Sequence, residues 1–398
     1  MRRTLFIFAA LIVLAGIALG VYVYFFASKA ALVVSPGNTT LPIAGDTGNG
    51  GGGGPSATTT SVGGQVGTSA RLIQISKGPV VSGVSTVDVG GTASSTADVL
   101  VSYIERQSGN VFHYSTRAGN ITRTSNRTVP GIQTATWLPN GTTAFVRYLS
   151  GTDSRTINTY ALPADGASGF FLPQNLSDIA VASTSVLALA TGVNGSVASI
   201  QRTDGTNALT LFTTPLSSLR VSFAGPTQYL AFTKPSSTLT GNAFLVDKKG
   251  SFSRIAGPLS GLVALASPLG KWVLVSYVQN ASMQLRLVNT STNEAVPLPL
   301  ATIADKCVWA ADDSTVYCGV PVDPSRNYAY PDDWYQGAVH FSDRIWKIDV
   351  SGRFAQLVLD FGAETKGSLD AEALSINRAA STLVFVNRND GSLWSYRL

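Results

Sequence analysis

Hydrophobic and polar positions follow two different patterns along this chain. Between Arg3 and Lys29 lie 25 uncharged residues, most of them apolar. From Arg71 onward, apolar and polar residues alternate in short runs that Gly, Asn, Asp and Pro interrupt. Alternation with a period of two is typical of half-buried β-strands, because successive side chains point to opposite faces of a sheet. The patterns therefore predict one apolar helix and, over residues 70–398, an all-β domain.

The apolar segment at residues 4–28 is long enough to cross a hydrocarbon core as a helix. It exceeds the usual apolar region of a cleaved signal peptide, so we expect a retained membrane anchor, with cleavage as the alternative. Arg2 and Arg3 precede the segment, which favours a cytoplasmic stub at residues 1–3 and a periplasmic or extracellular location for the β domain. Residues 29–69 are rich in Gly, Ser and Thr, and this composition predicts a flexible linker.

One strand recurs throughout the alternating region. In the sequence, each copy follows a turn, and another apolar strand precedes that turn. The central residues of its seven copies are Val111, Ile157, Val197, Phe244, Leu285, Ile345 and Leu393. Five of the six intervals between them measure 40 to 48 residues. Units of about four strands with this period are typical of propeller blades. We therefore predict a seven-bladed β-propeller, since the alternative of two stacked β-sandwiches would not explain the regular spacing.

The two ends of the β domain complement each other. The chain stops at Leu398, directly after the third strand of the seventh unit, so this unit lacks an outer strand. Residues 71–76 precede the first unit and have no unit of their own. Pairing residues 71–76 beside residues 391–398 would close the ring, whereas an open ring would expose an unpaired edge. We therefore predict closure by this N-terminal strand.

The repeat resembles that of a known class of propellers. The segment "ATWLPNGTTAFVRYLSGTDSRTINTYAL" at residues 135–162 resembles the TolB-type, WD-repeat-like propeller repeat, and residues 265–278 and 375–394 resemble it less closely. Trp-Asp dipeptides that close blades in the intracellular WD-repeat class are absent from the sequence. The resemblance implies an exported binding scaffold, although a fold alone does not assign a function.

Cys307 and Cys318 are the only cysteines of the chain. A two-residue turn at Asp312 and Asp313 would place them directly opposite each other on neighbouring strands. Counted from this turn they would form a hydrogen-bonded pair, with Cα atoms about 5.5 Å apart and within disulfide range. An exported domain favours a disulfide, and two buried thiols are the alternative.

The sixth unit is longer than the others, because its interval measures 60 residues. We place the additional residues at 323–342, between the second and third strands of this unit, and therefore on the face that carries the crossovers between blades. This insertion holds the predicted partner-binding residues Arg326, Tyr328, Tyr330, Asp332, Asp333, Trp334 and Tyr335.

Three interpretations of this insertion remain open. As a recognition loop, its tyrosines and tryptophan would supply rigid contact area and its charged residues would give polar selectivity. As a structural turn, its aromatic rings would pack on the rim and the Pro-Asp-Asp sequence would form the turn. As a catalytic loop, Asp332 and Asp333 would act as acid and base near His340, but adjacent residues rarely converge on one bond.

Charge and motifs restrict the chemistry further. The chain has 28 Lys and Arg against 23 Asp and Glu and no clustered basic stripe, so no nucleic-acid partner is expected. Nucleophile-elbow, zincin and P-loop motifs are absent. With His113 and His340 as its only histidines, the chain is expected to hold no metal and no cofactor. The expected first strands of the units are also poor in carboxylates, and we therefore predict that the protein is not an enzyme.

Together these patterns predict a membrane-anchored, extracytoplasmic propeller. Its expected role is that of a binding or scaffold module for a protein or polysaccharide partner at the cell envelope. A carboxylate-dependent propeller glycosidase or lyase and a purely structural envelope protein are the alternatives. The sequence leaves the oligomeric state open.

Overall fold

The computed structural model describes residues 71–90, 97–365 and 367–398, together with the backbone of Thr59–Thr60. The described residues form seven antiparallel sheets, which confirms the predicted seven-bladed, all-β propeller. The predicted cytoplasmic stub, the predicted anchor at residues 4–28 and nearly all of the predicted linker lie outside the described residues. Among the helices that are described, none has the length and apolar character needed to span a bilayer.

Each sheet is one blade, and the blades are numbered here 1 to 7 in chain order with strands given from the innermost outward. Blade 1 contains Ser85–Val89, Asp98–Ile104, Val111–Ser115, Ile121–Arg123 and Thr59–Thr60. Blade 2 contains Ile132–Trp137, Thr143–Ser150, Thr156–Pro163 and Phe170–Phe171. Blade 3 contains Leu176–Val181, Ser185–Gly192, Gly195–Arg202 and Leu209–Thr214. Blade 4 contains Leu219–Ala224, Gln228–Thr233, Thr240–Val246 and Phe252–Ser260.

The remaining three blades follow the same order. Blade 5 contains Val263–Ala266, Trp272–Gln279, Ser282–Asn289 and Ala295–Pro297. Blade 6 contains Cys307–Trp309, Thr315–Pro321, Asp343–Asp349 and Phe354–Asp360. Blade 7 contains Ala371–Ile376, Thr382–Asn387, Leu393–Arg397 and Leu72–Ser76. Short helical turns occupy Ala304–Lys306, Asp332–Tyr335 and Phe361–Thr365.

The hydrophobic core lies between neighbouring blades. Leu187 and Leu189 of blade 3, for example, pack with Val221 and Ala231 of blade 4, and all four side chains are buried. Each strand therefore presents one side to the preceding blade and the other to the following blade. This arrangement explains why second strands such as Val273–Val275 read as continuous apolar runs.

A glycine permits the close approach of blades 1 and 2. Gly83 has a φ of +110°, and a Cβ at this position would lie 1.8 Å from the carbonyl oxygen of Ala135. The Trp137 indole nitrogen donates to the Gly83 carbonyl at 3.1 Å. A side chain at position 83 would therefore force the two blades apart.

The ring closes as predicted, with Leu72–Ser76 as the outer strand of blade 7. Leu72 pairs with Tyr396, and a register shift follows Gln74. Leu72 belongs to the core between blades 6 and 7, whereas Ile75 belongs to the core between blades 7 and 1. One short strand therefore contributes to the packing on both sides of the last blade.

The disulfide between Cys307 and Cys318 is also confirmed. Their register is the predicted one, but the turn differs, because the Ala310 amide donates to the Thr315 carbonyl and four residues form the loop. Asp313 adopts a φ of +61° in this loop. The cysteines consequently form a non-hydrogen-bonded pair with Cα atoms 4.1 Å apart, instead of the predicted hydrogen-bonded pair.

A buried side chain on the closing strand should carry much of the stability of the ring. Replacing Leu72 by Ala should lower the free energy of unfolding by about 2–5 kcal/mol, because Leu72 is completely buried between two blades. Replacing the half-buried Gln74 of the same strand by Ala should cost less than about 1 kcal/mol. Denaturant unfolding of both full-length variants measures the difference. Equal losses in the two variants would contradict a closing role for this strand.

Candidate functional site

The insertion at residues 323–342 lies where the sequence predicts it, between the second and third strands of blade 6. Its contacts reach loops that connect second and third strands in other blades, at Ser237 of blade 4 and Arg388 of blade 7. They also reach the crossovers that carry Asp305 and Asp370. The face of the propeller that carries these loops and crossovers is called the crossover face below.

The two adjacent carboxylates of the insertion accept hydrogen bonds from the chain itself. Asp332 accepts from the amide of Ser237 at 2.9 Å and from its hydroxyl at 2.7 Å. Asp333 accepts from the amide of Ala329 at 2.7 Å. One carboxylate thus ties the insertion to blade 4, and the other fixes the turn that precedes the short helix.

The four aromatic residues of the insertion divide into two groups. Tyr330 and Trp334 are buried, with 2% and 3% of their surface exposed, and the Tyr330 hydroxyl donates to the Ser325 carbonyl. Tyr328 and Tyr335 remain 39% and 36% exposed. Tyr330 and Trp334 therefore pack as the structural interpretation of the insertion expects. Tyr328 and Tyr335 are accessible, as the recognition interpretation requires.

Trp334 covers a cluster of buried charges. Lys306, Asp343 and Asp370 are fully buried, and the Lys306 ammonium contacts both carboxylates, that of Asp343 at 2.8 Å. The Trp334 indole nitrogen donates to Asp370 at 3.1 Å, and Lys306 lies 5.0 Å from the centre of a Trp334 ring. Because unpaired charges are costly to bury, the cluster is stable only while all of its members and its aromatic cover are present.

Arg388 also contacts Trp334. Its guanidinium lies 4.6 Å from the centre of a Trp334 ring and donates to the carbonyls of Trp334 and Tyr335. The same guanidinium donates to Glu372 of blade 7 at 2.7 Å. The insertion is therefore fixed to blade 7 as well as to blade 4.

The environment of the buried cluster raises the pKa of one of its carboxyl groups, that of Asp343. Burial raises the pKa of the Asp343 carboxyl to about 6, and the negative charge of Asp370 acts in the same direction, although Lys306 opposes both. The Oδ1 atom of Asp343 has no hydrogen-bond partner among the described residues. Two carboxylates and one ammonium carry a net negative charge when all are ionised, so protonation of one carboxyl neutralises the cluster.

A second group of charges connects the insertion to the centre of the ring. Arg220, on the innermost strand of blade 4, pairs with both carboxylate oxygens of Asp305 at 2.6 and 3.2 Å. The Tyr335 hydroxyl donates to the same carboxylate at 2.7 Å, so this half-exposed side chain is held by a charge near the centre of the ring. On the neighbouring innermost strand, Asp178 accepts from the Val221 amide, and burial raises the pKa of its carboxyl.

The sequence does not single out these charged groups. Lys306, Asp343 and Asp370 are distant from one another in sequence, and no motif connects them. A weak signal was available, because each stands at or directly before the start of a strand in a chain with only 13% charged residues. Arg326 of the predicted set lies in the exposed part of the insertion. His340 is exposed, while within the described residues no three His, Cys, Asp or Glu side chains are grouped to hold a metal ion.

Comparison with known proteins supports the propeller fold. No family model matches this chain, and no curated protein matches it. An oligogalacturonate lyase in complex with manganese superposes with a TM-score of 0.56 at 9% identity, covering 86% of this chain and 96% of that chain. Kuenenia stuttgartiensis hydrazine synthase gives a TM-score of 0.52 at 12% identity, covering 85% of this chain and 99% of that chain. The resemblance at residues 135–162 is thus confirmed for the propeller fold, whereas its TolB-type assignment is not.

The prediction that this protein is not an enzyme requires correction. Structures of the same architecture include a lyase, so the fold offers no ground for excluding catalysis. The innermost strands also hold a buried carboxylate that the sequence did not indicate, Asp178 on the strand Leu176–Val181. At 9% identity the likeness shows the fold alone and assigns no reaction to this chain.

The buried cluster predicts a specific dependence of stability on pH. Since the pKa of Asp343 is raised from 3.8 to about 6 in the folded state, the folded state binds more protons than the unfolded state between these values. The stabilisation is therefore present at low pH and is lost as the pH rises through about 6. The free energy of unfolding should increase between pH 7.5 and pH 5 more in the wild type than in Asp343→Asn.

Denaturant unfolding at several pH values between 5 and 7.5 measures this difference. Asp349→Asn is the matched control, because Asp349 is a half-buried residue at the end of the same strand and its pKa is lowered by hydrogen bonds from Gly352 and Ser351. Its contribution is constant above pH 5, so its profile should run parallel to that of the wild type. A parallel profile for Asp343→Asn would contradict the prediction.

Proposed function

We propose that this chain is a partner-binding propeller that presents its crossover face to a protein or polysaccharide at the cell envelope. The observation that carries this proposal is the combination of rigid anchoring and exposed tyrosines in one insertion. Exposed rings that are already fixed lose little entropy on binding, and such rings are common in binding hot spots.

The anchoring supports pre-organisation of the insertion. Asp332 connects it to blade 4, Arg388 connects it to blade 7, and Trp334 packs over the buried charges of blades 6 and 7. A partner that docks on this insertion would therefore meet a surface that is already in its bound arrangement, which limits the ordering cost of association.

The exposed side of the insertion supplies the contact groups. The ring of Tyr328 lies 6.3 Å from that of the buried Tyr330, which supports it from below. Arg326 and Tyr328 are neighbours in an exposed run, and Leu239 is 72% exposed on the blade 4 loop that bonds Asp332. An aromatic ring, a guanidinium and an aliphatic side chain on one face are typical of a binding surface.

The proposed location rests on the sequence and on the disulfide. The apolar residues 4–28 would anchor the chain with the propeller outside the cytoplasm. A disulfide at Cys307 and Cys318 is consistent with an oxidising compartment. A TolB-type identity of the repeat would fit the same envelope setting.

The experiment compares pull-downs from envelope extract with full-length variants. The double variant Arg326→Ala and Tyr328→Ala removes exposed groups but leaves the anchors at Tyr330 and Trp334 in place. Loss of two hot-spot side chains should weaken retention of the partner at least tenfold. Mass spectrometry identifies a retained protein, and monosaccharide analysis identifies a retained polysaccharide.

A matched control lies on the same blade. Arg353→Asn and Phe354→Ala together also remove a guanidinium and an exposed ring, at the turn between the last two strands of blade 6. Asn suits the φ of +57° at position 353. Retention by the wild type and this control, with loss in the insertion variant at an equal melting temperature, supports the proposal. Equal retention by all three proteins contradicts it.

A further inference from the structure

The other end of the propeller contains a cavity that the proposed function does not use. A cavity of about 680 Å³ lies where the first turns of the blades converge, with lining residues from six of the seven blades. Turns between first and second strands contribute Asn140, Ser183, Pro268, Ala311 and Arg378. This end of the propeller is called the turn face below. Ligand sites in proteins commonly have volumes of about 300–1,000 Å³.

One charged side chain, Arg378, is present among the residues that line the cavity. Within the described residues, no ion pair includes its guanidinium. Arg378 is exposed at the cavity mouth, so its five N–H donors are available to an incoming group. A carboxylate or phosphate is the partner that matches a guanidinium in charge and geometry.

The residues on both sides of Arg378 are bound to blade 1, Asn377 through its side chain and Ala379 through its backbone. The Asn377 amide group donates to one carboxylate oxygen of Asp88 at 2.5 Å, and the Ala379 backbone amide donates to the other at 3.2 Å. Asn377 is fully buried and also accepts from the amides of Ser381 and Thr382. The cation is therefore presented by a rigid turn and not by a free loop.

The carboxylates near this cavity are already engaged. Asp88 is occupied by the blade 7 turn, as described above. Asp313 is buried and accepts from the Ser267 hydroxyl at 2.5 Å and from the Leu269 amide at 2.9 Å. Asp312 accepts from both the amide and the hydroxyl of Ser314. None of the three lines the cavity, so an anionic group inside it faces Arg378 and neutral side chains.

The neutral part of the lining is rich in hydroxyl groups. Thr86 and Ser375 share a hydrogen bond of 2.9 Å across blades 1 and 7, and Thr136 lines the cavity from blade 2. A hydroxyl both donates and accepts, so each can serve a hydroxyl of a ligand. Trp137 and Trp309 also line the cavity, but their indole nitrogens already donate to the carbonyls of Gly83 and Leu265. They offer ring carbons only, which suit the C–H groups of a polyol.

We infer that this cavity is a binding site for a small polyhydroxylated ligand with one anionic group, which Arg378 recognises. The site is separate from the crossover face, so it adds a small-molecule ligand to the proposed partner. Six blades contribute to it, and the innermost strands of a closed ring are rigid, which favours selective binding of a ligand of this size.

The test uses two probes that differ in a single group. Lactobionate carries a carboxylate where lactitol carries a neutral hydroxymethyl group, and both are polyols of disaccharide size. Isothermal titration calorimetry with the full chain, in mild detergent and at low salt, should show binding of lactobionate at least tenfold tighter than that of lactitol. Arg378→Ala should reduce the affinity for lactobionate to the level for lactitol, and Arg378→Lys should fall between.

Two further variants locate the effect. Thr136→Phe places a ring in the cavity and should abolish binding of both probes, with the melting temperature reporting whether the variant remains folded. Arg326→Ala, on the crossover face, should leave probe binding unchanged, so that failure of this inference and failure of the proposed function are distinguishable. Absence of lactobionate binding, equal affinities for both probes, or an unchanged affinity in Arg378→Ala would each overturn the inference.

Discussion

The ammonium group of Lys306 has no contact with solvent, and this burial constrains the crossover face more than any other interaction. An ammonium is stable in such a place only when an ionised partner and further hydrogen bonds compensate its charge. Asp343 comes from the third strand of blade 6, and Asp370 comes from the crossover to blade 7. Bringing these segments together fixes the packing of blades 6 and 7 at this face. Trp334 and Phe341, both from the region of the insertion, then exclude water from the cluster.

The fold was largely predictable because its signals are local and repeated. The alternation of apolar and polar residues predicted the strands, and glycine and asparagine predicted the turns. The regular spacing of the repeated strand from Val111 to Leu393 predicted the blades. Closure by Leu72–Ser76 followed from counting strands, since a sheet edge without a partner is unfavourable. The turn between Cys307 and Cys318 was mistaken because two-residue and four-residue loops centred on the same point give the same register. The hydrogen bond from the Ala310 amide to the Thr315 carbonyl distinguishes them, and Asp313 is left-handed in the resulting loop.

The candidate site was less predictable because burial in the insertion depends on residues far away in sequence. Within "YAYPDDWYQG" nothing distinguishes Tyr330 from Tyr328, yet one is buried and the other is exposed. The difference comes from packing, because the Tyr330 ring lies 5.7 Å from that of Phe341 and belongs to the hydrophobic core that blades 4 to 6 share. The sequence therefore located the insertion and its face correctly, but it could not separate anchoring side chains from those that remain available to a partner.

The turn face shows how ring closure and ligand recognition share the same residues. Thr86 and Asp88 of blade 1 bond Ser375 and Asn377 of blade 7, so these hydrogen bonds cross the seam at which the ring closes. Arg378 lies on the blade 7 side of this seam, and cavity-lining residues lie on both sides. A ligand held by both blades would bind the closed ring better than an opened one, and any such preference stabilises the closed state by mass action. Occupancy of the cavity would then strengthen the same closure that Leu72–Ser76 achieves at the outer edge of blade 7.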